Sequence, residues 1–200
     1  GGVLLLGGRD NNEHVTNQVL HLATGASDWA EMPPMLQGRK LFAAAAMPDG
    51  RVVIVGGGPE AVAVRTGYRS AELYDFSKGT SEPLPDTKHA HGYLRSFALV
   101  ALSSTKVMLV DGLSEILDLD SLADGWKPTP PMLQRRNNHC AWAVQDNTGA
   151  TLVVAGGGSD RQDTALTSTE LYDSARSQWL PFISLPAPRY RAGGALLKSL

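Results

Sequence analysis

Arginine is the side chain in this sequence whose type and placement point to chemistry. Its planar, permanently charged fork matches a carboxylate or a phosphate. Arg9, Arg65, Arg69, Arg135, Arg161 and Arg189 all fall in connecting segments near glycine-rich or proline-rich turns, accompanied by Tyr68, His91 and Tyr190. These nine residues form the candidate binding set, and their chemistry is recognition of an acidic ligand. Bond-breaking machinery is not signalled. There is no Ser-His-Asp arrangement and no pair of carboxylates in a recognisable motif, and the glycine pairs end apolar runs where a phosphate loop would open a helix. His89 and His91 stand on one side of an extended chain, as metal ligands would, but no third ligand accompanies them. No catalytic residue, metal or cofactor is expected.

The elements that position these arginines are legible as a repeat. VLLLGG from Val3, VVIVGGG from Val52, VMLVDG from Val107 and LVVAGGG from Leu152 recur about every 50 residues. Each is a run of branched apolar residues halted by glycine or aspartate, with no polar alternation, which predicts a strand buried on both faces. Beyond each run a second strand is followed by a tryptophan at a constant spacing: Leu22 and Trp29, Leu119 and Trp126, Tyr172 and Trp179. In the second repeat Tyr74 has Ser81 at that position, which predicts the weakest outer edge there. A proline-rich turn, an arginine and a strand of small residues then begin the next unit, with Arg39, Arg95, Arg136 and Arg191 in one frame. These four are expected to brace neighbouring loops. Pro48-Asp49-Gly50, Ser103-Ser104-Thr105 and Asn147-Thr148-Gly149 supply hairpin turns.

This order of apolar strand with Gly-Gly, Tyr-Asp, Trp, then Pro, Met and Arg resembles the Kelch repeat. The resemblance covers essentially the whole chain, and the fourth copy fits well through Gly156-Gly157, Tyr172-Asp173 and Trp179. Ser81, Asp111, Leu22 and Leu119 depart from the pattern. It implies an all-β propeller of four-stranded antiparallel blades, four in this chain, in repeats of about 1–38 completed by 191–200, then 39–94, 95–135 and 136–190. The alternative is a segment of a larger propeller. Kelch similarity further implies a protein-binding module in most cases and an enzyme in a minority.

Composition narrows the partners. Over 200 residues, 18 basic against 20 acidic side chains leave a net charge of −2, so nothing draws the chain globally to nucleic acid. No apolar run approaches a membrane span. Cys140 is the single cysteine, which excludes an internal disulfide and makes a reducing, cytoplasmic setting the default. Charge is nonetheless segregated. The glycine end of the repeats carries the arginines, whereas the hairpin end carries Asp28, Asp49, Asp75, Asp120, Asp124, Asp146 and Asp173. The expected function is a protein interaction scaffold that takes an acidic segment of a partner on its arginine-bearing loops. The alternative is an enzyme or small-molecule site for an acidic sugar in the propeller mouth.

Overall fold

The glycine-ended run VVIVGGG is strand β5, Val52–Gly58, and every one of its residues is buried. Valine and isoleucine stiffen the extended backbone and pack on both faces, which is why the run shows no polar alternation. Around it a four-stranded antiparallel sheet forms in the order β4 (Lys40–Ala46), β5, β6 (Ala71–Asp75) and β7 (Thr80–Leu84). The computed structural model describes residues 1–59, 67–91, 97–146, 151–160 and 162–194.

The same order recurs. β8 (Ala98–Ala101), β9 (Lys106–Val110), β10 (Glu115–Asp118) and β11 (Lys127–Pro128) form one sheet, with a 3-10 turn at Leu122–Asp124 before β11. β12 (Cys140–Gln145), β13 (Thr151–Gly156), β14 (Thr169–Asp173) and β15 (Gln178–Phe182) form another. The first sheet has three strands among the described residues: β1 (Gly2–Leu6), β2 (Val19–Ala23) and β3 (Ala30–Met32). Its fourth strand was expected from 191–200. Residues 191–194 are not in a strand, and 195–200 lie outside the described residues, as does the turn at Asn147-Thr148-Gly149.

The chain divides into two compact units, Gly1–Leu94 and Arg95–Leu200, each holding two sheets face to face. In the first unit, Val52, Ile54 and Tyr74 of the second sheet pack with Leu4, Leu6 and Val19 of the first, and Met35 from the connecting segment joins them. In the second, Val153, Ala155, Tyr172 and Trp179 of the later sheet meet Met108, Val110 and Val100 of the earlier one, with Met132 in the place of Met35. Each interface therefore joins the rear face of one sheet to the front face of the next.

The tryptophan position works as expected in the fourth repeat. Trp179 pairs with Tyr172 across β14 and β15, is 4% exposed, and donates its indole N–H to the Pro130 carbonyl at 3.1 Å. In the second repeat, which lacks the tryptophan, the hydrogen bond to the proline carbonyl comes from a tyrosine. Tyr74 is fully buried and its hydroxyl donates to the Pro33 carbonyl at 2.9 Å, a proline equivalent to Pro130. Ser81, opposite Tyr74, donates to the Glu72 carboxylate at 2.6 Å.

Two substitutions test this account by thermal or denaturant melts. Trp179→Ala should destabilise by about 3–5 kcal/mol, the usual loss for a buried aromatic. Ser81→Trp should destabilise by about 1–3 kcal/mol through loss of a hydrogen bond to a charged group. Ser81→Trp as stable as the parent chain would show that the site holds a void after all.

Candidate functional site

The glycine ends of the strands are built around buried ion pairs. Arg39, 1% exposed, donates Nε to Glu72 at 2.8 Å and its terminal nitrogens to the Gly56 carbonyl, the Ser70 carbonyl and the Ser70 hydroxyl. Glu72 also accepts the Leu36 backbone N–H at 2.7 Å, so one carboxylate ties the segment leaving the first sheet to the second. Arg136 and Glu170 repeat the construction at 2.6 Å, with Leu133 and Gln134 donating their N–H groups to the carboxylate. Arg39 and Arg136 are thus bracing residues, as their repeated position implies.

Of the other two members of that frame, one is undescribed and one is corrected. Arg95 lies outside the described residues. Arg191 is displaced by Arg189: the Arg189 carbonyl accepts the Gly158 N–H as the Arg39 carbonyl accepts the Gly8 N–H. The residue two beyond each of these arginines takes a left-handed turn, at Leu41, Asn138 and Arg191 with φ of 57°, 54° and 53°. In the first unit His91 holds the equivalent place, its carbonyl accepting the Gly57 N–H. The repeat spacing hid this because a histidine and a longer connection replace the arginine signal. The close approach requires glycine: at Gly158 a Cβ would meet the Asn137 carbonyl at 2.7 Å, with φ already at +88°.

The candidate binding residues fall into two groups. In the first unit Tyr68 and His91 pair as an antiparallel bridge, and the Arg39 guanidinium lies 5.7 Å over the Tyr68 ring. His91 is buried, which removes it from any direct contact surface. Arg69 is exposed and donates Nε to the Thr87 carbonyl. Arg9 sits 3.8 Å from Glu13 on the surface. Arg65 lies outside the described residues. In the second unit Arg135 is exposed beside Gly112, and Arg189 and Tyr190 are exposed, with Arg191 over the Tyr190 ring at 5.7 Å. Arg161 lies outside the described residues.

Ion pairing separates the two ends of the sheets. At the hairpin end the bases have acids: Arg51 with Asp49, Lys78 with Asp75, Lys106 with Asp118, Lys127 with Asp124 and Arg176 with Asp173. The hydrogen bonds from Ser77 and Lys78 hold the Asp75 carboxyl down at about 2. At the glycine end Arg69, Arg135 and Arg189 have no carboxylate partner among the described residues. Two of the acids there, Asp10 and Asp160, are committed elsewhere. Asp10 accepts the Asn12 and His14 N–H groups, and Asp160 accepts those of Gln162 and Thr164, closing the two loops that follow the glycines.

Sequence reasoning also overlooked His139. Burial drives it down to about 4, against which the Asp111 carboxylate works, while Arg136 adds to the lowering. It occupies the position of Phe42 three residues past the bracing arginine, which explains why a histidine there is enclosed. Among the described residues no group of three His, Cys, Asp or Glu side chains could hold a metal ion. Nor is any helix among them long and apolar enough to cross a membrane.

Antiparallel sheets, three of them four-stranded among the described residues, with glycine-ended strands and an arginine-glutamate brace make this an all-β chain of blade-like units, as the Kelch resemblance implies. The comparisons agree. Kelch-like protein 40 of Xenopus tropicalis is 28% identical over 170 residues, covering 82% of this chain and 26% of the relative. Kelch-like protein 40 of Xenopus laevis is 28% identical over 167 residues. The chain spans about a quarter of the length of these curated relatives. No family model matches it.

Two further outcomes are expected. Glu170→Ala should destabilise by about 3–5 kcal/mol in denaturant melts, because it strands the buried Arg136 charge, whereas Asp49→Ala on the surface should cost under about 1 kcal/mol. For His139, the unfolded chain takes up a proton near pH 6.5 and the folded chain only near 4. Stability is therefore fully present above the unfolded value and falls as pH drops from about 6.5 to about 4, approaching about 1.4 kcal/mol per pH unit. His139→Phe, copying Phe42, should flatten that slope; an unchanged slope would assign it to other groups.

Proposed function

We propose that this chain is a protein-binding module that takes an acidic segment of a partner on the exposed arginines at the glycine ends of its strands. The observation that carries this reading is the contrast in pairing: hairpin-end bases are matched by acids, while Arg69, Arg135 and Arg189 have no acid partner among the described residues. An arginine with no internal acid can meet an external carboxylate bidentately without first breaking a pair. The name shared by the two similar proteins, Kelch-like, supports a propeller used for binding. Arg9 and Tyr68 would flank a contact at Arg69 in the first unit, and Tyr190 one at Arg189 in the second. A reducing intracellular setting fits the lone thiol of Cys140, which donates to the Ala192 carbonyl. An acidic-sugar site has less support, since the cavity beside Arg189 opens on an apolar sheet face.

The test is an acidic-peptide array probed with the parent chain, with Arg135→Gln/Arg189→Gln, and with Asp49→Asn/Asp173→Asn. Each arginine fork removed from a desolvated pairing with the peptide should weaken binding by about 1.5–3 kcal/mol, with little change in melting temperature. Binding by the parent should weaken as salt rises, since rim charges are screened over about 8 Å at physiological ionic strength. The aspartate variant should bind as the parent does. Retention of the same peptides by the arginine variant would place the binding surface elsewhere.

A further inference from the structure

Tyr74 and Tyr172 hold equivalent places, opposite Val52 in the second sheet and Val153 in the fourth. The residues two places further on differ: Phe76 in the first unit, Ser174 in the second. Phe76 packs into the cluster between its two sheets, its ring centroid 4.5 Å from that of His21 on the sheet before. The counterpart of His21 is Ile116, for the two sit opposite Leu4 and Met108 at matching places on the glycine-end strands. Ser174 brings no ring to meet Ile116, and its hydroxyl donates to the Thr151 carbonyl at 2.7 Å. A cavity of about 420 Å³ remains at the hairpin end, lined by Leu102 and Ile116 of the third sheet and its turn and by Tyr172 and Ser174 of the fourth. It lies within the second unit, between two sheets consecutive in the chain.

The walls of this cavity are fixed and not wholly apolar. Thr151 Oγ1 donates to the Leu102 carbonyl at 3.1 Å, which ties the two sheets at its edge. Tyr172 is 2% exposed, and its hydroxyl has no hydrogen-bond partner among the described residues. Tyr74 uses the Pro33 carbonyl, but the equivalent Pro130 carbonyl is taken by the Trp179 indole. A buried hydroxyl left unsatisfied is costly, and a ligand that bonds to it removes that cost. The charges at the mouth are matched, Lys106 with Asp118 at 3.6 Å and Lys127 with Asp124 at 2.7 Å, so no net charge is required of an occupant. Where a packed interface lacks a ring that its repeat possesses, the space left accepts a ligand of that shape.

We propose that this cavity binds a small neutral aromatic compound with a hydroxyl on its ring. The ring stands where Phe76 stands in the first unit, and the hydroxyl bonds to that of Tyr172. The inference is independent of the acidic-partner reading, since the cavity lies at the hairpin end and uses none of the exposed arginines of the peptide test.

The experiment titrates the 200-residue chain with phenol and follows backbone amide NMR shifts, with benzene as the probe that lacks the hydroxyl. Phenol should bind saturably with a Kd of about 1 mM, the scale set by so few heavy atoms. The shifts should centre on Ile116, Thr151 and Ser174. Benzene should bind about fivefold more weakly, for want of one hydrogen bond. Tyr172→Phe should keep the parent's affinity for benzene and lose the preference for phenol, whereas a merely structural role for Tyr172 would weaken both probes alike. Ser174→Phe supplies the missing ring from within, and with a native-like amide spectrum it should weaken both probes by about tenfold or more. Should that variant not fold, Tyr172→Phe decides the matter by itself. Failure of phenol to saturate at about ten times the expected Kd, shifts centred elsewhere, or a phenol preference that survives Tyr172→Phe each overturns the proposal.

Discussion

The glycine ends of the second and fourth sheets each depend on one buried charge pair. A segment that leaves one sheet and enters the next must satisfy backbone N–H groups away from water, and a loop has no ladder to do so. Glu72 and Glu170 meet that need by accepting both a guanidinium and backbone N–H groups, at Leu36 in one case and at Leu133 and Gln134 in the other. The guanidinium in turn occupies carbonyls of the glycine strand and of the strand after it. Removing either partner would leave a buried charge, which is why the pair acts as a fixed register between elements more than as a source of net stability.

Because the brace consumes Arg39 and Arg136, arginine is used in two distinct ways within one short region. Enclosed arginines shape the loops; exposed ones, Arg135 next to Arg136 and Arg189 at the chain's last brace position, face outward. Asp10 in the first unit and Asp160 in the second are turned to closing their own loops. Local folding needs thus take up these two carboxylates.

Much of the architecture was legible in the residues. Apolar runs ended by glycine or aspartate became the second strand of the three four-stranded sheets and the edge strand of the first, and the tryptophan spacing located the outer strand, because both signals arise from packing that the repeats share. Single positions were harder to read. Ser81 looked like a defect until Tyr74 was seen to supply the donor to Pro33 that Trp179 supplies to Pro130. Spacing alone also set Arg191 in the brace frame, whereas the left-handed residue two places beyond each brace identifies Arg189. Hydrogen-bond substitution and backbone handedness leave little trace in residue type. The same holds for His139, which reads as an ordinary polar residue until its enclosure between Asp111 and Arg136 is known.

The carboxylate brace also imposes an order on assembly. Leu36 lies in the segment that leaves the first sheet, but the acid that anchors it, Glu72, belongs to the third strand of the second sheet. The exit of one sheet stays without its anchor until the next has paired far enough to present its glutamate. During synthesis from the N-terminus, each unit would be sealed by sequence that emerges about 35 residues later, making completion of one sheet contingent on its successor.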